Sequence, residues 1–388
     1  MNEVFFMLRK VCVSIVLCVS IIASVMFPMK VEALSDDSIS APSAMLMEAS
    51  TGKILFEKNS HERRPCASVT KVMTLLLVFE AIDSGKIDFD DMVTASEHAA
   101  SMGGSDIWLE TGESMSVDDM VKATVVASAN DAAVALAEHI CGSEDVFIEK
   151  MNERAKILGM KDTVFKNCNG LDEEGHLTSA YDVAVMSREL IKHDKVFHYT
   201  SIWLDNLRGG KTQIVNTNKL LKTYNGITGL KTGTTDDAGC CMSATAKRGN
   251  VSLISVVLGC NTGKERFADA AALLDYGFAN ILVKDLKLPD DLPKNVSVVD
   301  GMKKQVSLKC NVNDSLVIDK SKSAELTSKI KLPKSIEAPI LKNQKIGTIS
   351  YYINDIEVKK YNITAIDSVE KTSFSTVLGV LFNSIIAL

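Results

Sequence analysis

The sequence predicts an α+β protein in which helices surround an antiparallel sheet, followed by a small all-β domain and a C-terminal amphipathic helix. Three observations lead there. Between Ser35 and Lys284, apolar residues recur at helical spacing in several stretches and share the region with short strand-like runs. From about Lys294 to Ser368, helical periodicity stops and β-type runs alternate with turns. From Phe374 to Leu388 the helical period returns.

At 388 residues the chain fits two domains plus extras. Arg9 and Lys10 precede an apolar run from Val11 to Phe27, and Val31-Glu32-Ala33 then offers small residues at cleavage spacing. Residues 1–34 therefore read as a signal peptide cut after Ala33, or as an uncleaved signal anchor; both export the rest. The first domain is expected over 35–285. Strands are expected at Ser43 to Met47, Lys53 to Glu57, Gly239 to Lys247 and Val251 to Gly259, the last two joined as a hairpin through Arg248-Gly249-Asn250. Helices are expected at Val69 to Ile82, Ala129 to Ile140 and Val146 to Leu158.

Leu286 to Pro293, rich in Pro, Asp and Lys, reads as a linker, and 294–368 as the β-rich domain, with runs such as Val296 to Val299 and Lys345 to Ile353. In the tail, Phe374, Val377, Leu378, Leu381, Ile385 and Leu388 share one side. A 15-residue helix spans roughly 22 Å, short of the roughly 30 Å hydrocarbon core. Residues 372–388 thus suit an amphipathic anchor lying in a membrane surface, or a terminal helix docked on the protein itself.

Composition excludes some functions. A net charge of -6 and 6% aromatic residues give no basic, base-stacking surface, so no nucleic-acid partner is expected. Cys12 and Cys18 lie in the apolar run; the other seven (Cys66, Cys141, Cys168, Cys240, Cys241, Cys260 and Cys310) include no CxxC and read as buried free thiols. The six histidines show no HExxH-like spacing, so neither metal nor cofactor is expected.

Three short motifs carry chemistry: Ser68-Val69-Thr70-Lys71, Ser128-Ala129-Asn130 and Lys231-Thr232-Gly233. Ser68 opens a helix and Lys71 follows one turn later on the same face. A serine hydroxyl needs a base to become a nucleophile, and lysine serves only when burial and a second cation, here Lys231, push its pKa down from about 10.4. Ser128 can relay a proton to a leaving amine, and Asn130 can hold a substrate backbone. Either Asn130 or Asp131 equally suits the N-cap of a helix starting near Ala132. On a strand edge, Lys231 and Thr232 can meet a carboxylate while Gly233 allows close approach. The backbone N–H groups of Ser68 and Thr234 would form an oxyanion hole. Each motif alone is weak; their conjunction, in this order and in an exported chain, is specific.

On these motifs the chain resembles the low-molecular-mass penicillin-binding proteins, the serine-type D-alanyl-D-alanine carboxypeptidase family. Further matching stretches are Ala67 to Thr74, Gly104-Ser105, Gly112-Glu113, Ala127 to Ala137, Asn169-Gly170-Leu171-Asp172, Gly229 to Thr235, and Arg266-Phe267 with Leu274 to Phe278. Ala338-Pro339 through Ile349 is similar to the family's β-rich stalk, and the tail to its anchor. The resemblance implies a penicillin-binding/serine β-lactamase-like catalytic domain that removes the terminal D-alanine from peptidoglycan pentapeptide stems and is inhibited covalently by β-lactams. It implies Ser68 as acylated nucleophile, Lys71 as base and Ser128 as relay. Asn130, Lys231, Thr232, Gly233 and Thr234 would be substrate contacts, with Arg266 a candidate for the terminal carboxylate. Thr217 stands where some relatives have arginine, and Thr234 where some have histidine.

Two other readings compete. A β-lactamase needs a placed carboxylate for fast deacylation; Asp172, Glu173 and Glu174 are near, but no Glu-x-x-Leu-Asn pattern accompanies them. A catalytically silent wall-binding protein would lack a motif residue, and none is missing. The expected location is the outer face of the cytoplasmic membrane.

Overall fold

The computed structural model describes residues 34–320, 325–375, 377–379 and 382. The signal segment expected over 1–34 lies outside them except for Leu34, as does most of the tail expected as an anchor over 372–388. Residues 36–38 form a short 3-10 turn within a unit ending at Ser38. Ile39 onward forms a second compact unit.

In the first part of that unit the strands are β1 (Ser43–Glu48), β2 (Ile54–Lys58), β3 (Met92–Thr94), β4 (Ser114–Ser116), β5 (Leu204–Leu207), β6 (Thr212–Val215), β7 (Ile227–Thr235), β8 (Gly239–Arg248) and β9 (Val251–Cys260). The helices are α1 (Lys71–Asp83), α2 (Glu97–Ala100), α3 (Val117–Val126), α4 (Asn130–Cys141), α5 (Glu144–Ile157), α6 (Ala180–Leu190), α7 (Val196–Thr200), α8 (Leu220–Thr223) and α9 (Gly263–Asn280).

A five-stranded sheet runs β2-β1-β9-β8-β7, and its pairings are antiparallel. Six consecutive residues are buried in both β8 and β9, because α9 covers one face of the sheet and α6 the other. That double cover is why Val251–Cys260 is mostly apolar and does not alternate. Behind α6 stands α1, whose Val72, Met73, Leu75, Leu76, Val78 and Phe79 are all buried. A helix apolar on nearly every side belongs at the centre of a domain. α9 was not expected from periodicity. Its start is set by Thr262 and Glu265, which form a reciprocal capping box.

The second part contains β10 (Ile281–Asp285), β11 (Asn295–Val299), β12 (Gln305–Lys309), β13 (Ser315–Asp319), β14 (Leu326–Lys331), β15 (Ser335–Glu337), β16 (Lys345–Ile353) and β17 (Ile356–Ala365). Six of them form one sheet in the order β14-β16-β17-β12-β11-β15. The stretch expected as a linker is tied down: the Leu286 N–H donates to Asp314 O at 2.9 Å, and its side chain joins Ile349, Tyr351 and Ile363 in the core. β10 pairs along its length with β13, and Lys320 Nζ reaches Phe278 O at 2.6 Å. One leucine among charges and prolines was too faint a signal to reveal this joint.

Candidate active site

The nucleophile segment is bent before it becomes helical. Ala67–Thr70 makes a 3-10 turn leading into α1, and Ala67 takes a φ of 50°. An alanine in the left-handed region costs on the order of 1–3 kcal/mol and persists only where the surroundings enforce it. Two glycines supply that enforcement by close approach. A Cβ at Gly170 would sit 2.0 Å from Ala67 O, and one at Gly233 would sit 2.7 Å from Cys66 O and 2.8 Å from Ser68 N. The turn bearing Ser68 is therefore clamped between the loop at 170 and the edge strand β7.

Lys71 is fully buried, and its Nζ has three neighbours: Ser68 Oγ at 2.9 Å, Asn130 Oδ1 at 2.5 Å and Asn169 O at 2.7 Å. The amide of Asn130 has a determined sense, because its Nδ2 donates to Gly103 O at 2.6 Å. Oδ1 must then face the lysine. Two fixed acceptors use the two N–H bonds of a neutral amine and leave its lone pair toward Ser68 Oγ. Burial lowers the Lys71 pKa to about 7, against smaller opposing pulls from Cys168, Asp131 and Cys66.

Lys231 faces this group from β7. Its Nζ donates to Ser128 Oγ at 2.9 Å and to Thr232 O at 2.9 Å. Burial first, then the nearby charges of Lys71 and Arg266, hold its pKa well below the ordinary lysine range. Ser128 lies between α3 and α4 with a φ of 63° and is almost fully buried. The structure thus gathers two hydrogen-bonded groups, Ser68 and Asn130 around Lys71 and Ser128 on Lys231, close enough for the Lys71 charge to act on Lys231.

The other expected residues lie on β7 or, for Arg266, against it. Thr232 Oγ1 meets Thr217 Oγ1 at 2.6 Å, and Thr234 is exposed at the strand's end. Arg266, on α9, is buried and donates through Nη1 to Gly233 O at 2.9 Å, Thr234 Oγ1 at 2.9 Å and Cys241 O at 3.4 Å. Because a peptide's C=O and N–H point oppositely, holding Gly233 O fixes the direction of the Thr234 N–H.

Capping does not explain Asn130. It is the first residue of α4, the N-cap is Ala129, and the amide is spent on Lys71 and Gly103. Asp131 takes the structural work, accepting from the N–H groups of Ile107, Leu109 and Ala132.

Sequence reasoning missed two contributors. The Asn169 carbonyl is a backbone group, to which no side-chain motif points. His176 is buried beneath the nucleophile turn, where its Nε2 is 2.8 Å from Thr70 Oγ1 and its Nδ1 accepts from Lys166 N. Burial lowers its pKa to about 4. The carboxylates weighed for a deacylating role point elsewhere: Asp172 accepts from Thr235 Oγ1 at 2.6 Å, Glu173 accepts from Asn167 Nδ2, and Glu174 is exposed. Among the described residues no group of three or more His, Cys, Asp or Glu side chains could hold a metal ion.

Comparison with known proteins adds an independent line. The profile of the D-alanyl-D-alanine carboxypeptidase family matches residues 30–262, and that of the penicillin-binding protein 5 C-terminal domain matches 283–371. D-alanyl-D-alanine carboxypeptidase DacF of Bacillus subtilis is 44% identical over 342 residues, covering 87% of this chain and 88% of the relative. DacC of Escherichia coli, with the same description, is 34% identical over 345 residues, covering 87% and 86%. The structure of penicillin binding protein 5 from Haemophilus influenzae superposes with a TM-score of 0.75 at 32% identity, covering 87% of this chain and 100% of that one. Penicillin-binding protein D2 from Listeria monocytogenes, in its ampicillin-bound form, gives 0.58 at 34% identity, covering 63% and 100%.

Proposed function

The chain belongs to the D-alanyl-D-alanine carboxypeptidase family and is a serine-type peptidase of that class; from this premise we propose that Ser68 carries the acyl group when the terminal D-alanine is cut from a pentapeptide stem. The observation that carries the assignment is the buried Lys71 Nζ, 2.9 Å from Ser68 Oγ and held there by the Asn130 Oδ1 and Asn169 O acceptors.

The steps follow from the geometry. The scissile carbonyl lies between the N–H groups of Ser68 and Thr234, which take up charge as the tetrahedral intermediate forms. Ser68 Oγ attacks while Lys71 Nζ removes its proton. The C–N bond then breaks, and the departing amine takes a proton from Ser128, which Lys231 restores. Water then attacks the ester and gives a proton through Ser128 to Lys231, replacing the one it lost, while Lys71 returns its proton to Ser68 Oγ as the ester C–O bond breaks and the shortened stem leaves. Thr232, Thr234 and Asn130 contact the substrate. Arg266 acts by fixing the Gly233–Thr234 peptide, a reading supported by its burial and its bonds to Gly233 and Thr234.

We assign 35–285 to catalysis, 294–368 to a β-rich support, 1–34 to export and 372–388 to membrane attachment from the outer face. Phe374, Val377, Leu378 and Phe382 are exposed, as a surface-lying anchor needs. Among the described residues no helix is long and apolar enough to cross a membrane. β-Lactams would acylate Ser68, as the Listeria relative's ampicillin-bound form suggests by analogy.

The test uses a fluorescent penicillin and a model pentapeptide. The wild type should be labelled and should release D-alanine, and Ser68→Ala should lose both activities by on the order of 10⁴-fold or more. Labelling that survives Ser68→Ala would refute the assignment, and rapid penicillin turnover without D-alanine release would support a lactamase.

A further inference from the structure

Beside the active site the chain from Gly103 to Gly112 makes an arch that displays one large apolar side chain. Trp108 is 77% exposed, whereas its neighbours Ile107 and Leu109 are 1% and 4% exposed. Its φ is 55°, a region in which a bulky residue is a genuine outlier. The protein holds this conformation from both sides. The buried Asp131 carboxylate accepts from Ile107 N and Leu109 N at 3.0 Å each. Arg208, itself gripped by both oxygens of Glu113, donates to Ile107 O at 2.9 Å and Trp108 O at 3.4 Å. So the two flanking apolar side chains are pinned inward and the indole is turned outward. Folding gains nothing from exposing an indole on a strained backbone; strain of this kind accumulates at ligand-binding positions.

The arch is anchored to the catalytic group. Asn130, which holds Lys71, donates from its N–H to Ser105 O at 2.7 Å and from its amide to Gly103 O. Three residues of chain reach at most roughly 10 Å, so the backbone of Trp108 stands within that distance of Ser105. In an extended stem, the four residues left between the cut bond and the glycan span about 13 Å, a comparable reach. Asp106 and Glu110 lie two residues to either side of Trp108 in the chain. An exposed aromatic face with acidic residues near it in the chain suits a neutral, hydroxyl-rich ring, since the ring's C–H groups pack on the face. It disfavours an anionic peptide segment.

The geometry points to Trp108 as a stacking platform for a pyranose ring of the glycan strand that bears the stem. This rests on the peptidoglycan reading above and adds a sugar subsite to it. The test compares two soluble substrates, a free pentapeptide and the same pentapeptide carried on a disaccharide of N-acetylglucosamine and N-acetylmuramic acid. Trp108→Ala should lower kcat/KM for the sugar-linked substrate about tenfold and leave the free peptide within about twofold, with Trp108→Tyr recovering most of the loss. Equal losses on both substrates, or no loss on either, would overturn the subsite. A separate readout needs no turnover: in a Trp203→Phe background, the peptide-free disaccharide should shift the emission of Trp108, and an unchanged spectrum up to millimolar sugar counts against the proposal. If the wild type cut neither substrate while the spectral shift persisted, the carboxypeptidase reading would fail and the sugar platform would stand.

Discussion

Residues 35–285 hold 25 Lys or Arg against 36 Asp or Glu, whereas 294–371 hold 14 against 9. The acidic part takes its charges inside: Glu48, Lys71, Asp131, Asp182, Lys231, Arg266 and Asp269 are all buried. The basic part keeps its charges in water and, among the described residues, buries as polar side chains only Thr348 and Ser350. Backbone strain divides the same way. Left-handed non-glycine residues in the catalytic part include Ala67, Trp108, Ser128 and Arg208, but in the β-rich part they are Asp300, Asn343, Asn354 and Asp355. Aspartate and asparagine visit that region cheaply in turns; alanine, serine and tryptophan do not. Buried charge and costly backbone occur together in the part that carries Ser68 and Lys71, and the β-rich part shows neither among its described residues.

Four experiments would break or sharpen this contrast. Lys71→Met removes the buried amine proposed as the base and should slow acylation by about 10³-fold. With a pKa near 7 in place of about 10.5, the wild-type lysine loses its proton as pH rises through 7. Acylation should therefore climb up to tenfold per pH unit below 7 and level off above it. A plateau reached only above pH 9 would show that Lys71 stays charged. Gly233→Ala places a methyl group against Cys66 O and Ser68 N, and should cost about 10²- to 10³-fold in acylation by displacing the oxyanion donors. A normal rate would mean that β7 does not hold the nucleophile turn.

His176 tests the buried charges through stability. Its folded pKa of about 4 lies below its ordinary 6.5, so between those values the unfolded chain binds a proton that the folded chain refuses. Stability should fall as pH drops from 6.5 to 4, by up to about 3 kcal/mol from this residue. Denaturant titrations of the wild type and His176→Gln at pH 7 and 4.5 measure the difference, and equal slopes would exclude the effect. The smallest change is expected from Lys303→Ala with Lys304→Ala in the β-rich part, where both side chains are exposed. Stability should move by less than about 0.5 kcal/mol and acylation not at all. A large loss of either would erase the distinction between the two parts.

What the sequence disclosed follows the same line. Ser68, Lys71, Ser128 and Lys231 were legible because their chemistry lies in side chains at fixed spacing. The doubly covered strands β8 and β9 were legible as apolar runs. Asn130 was ambiguous because an amide before a helix looks like a cap until the neighbouring Gly103 carbonyl is known. The Asn169 carbonyl, the 3-10 turn at Ala67 and the inward set of Arg266 were hidden, since each arises from contacts between segments far apart in the chain. Leu286 shows the same limit on a small scale: its burial depends on Ile349 and Tyr351, more than 60 residues away.

The position of β7 at the end of its sheet has one more consequence. An outermost strand offers backbone donors and acceptors at a regular repeat, and an extended peptide laid alongside it becomes a transient sixth strand. Recognition of that kind reads the shape of a main chain and is nearly indifferent to what the side chains are. A stem could vary in composition and still dock, whereas a cyclised or kinked peptide would be rejected before Ser68 ever met its carbonyl.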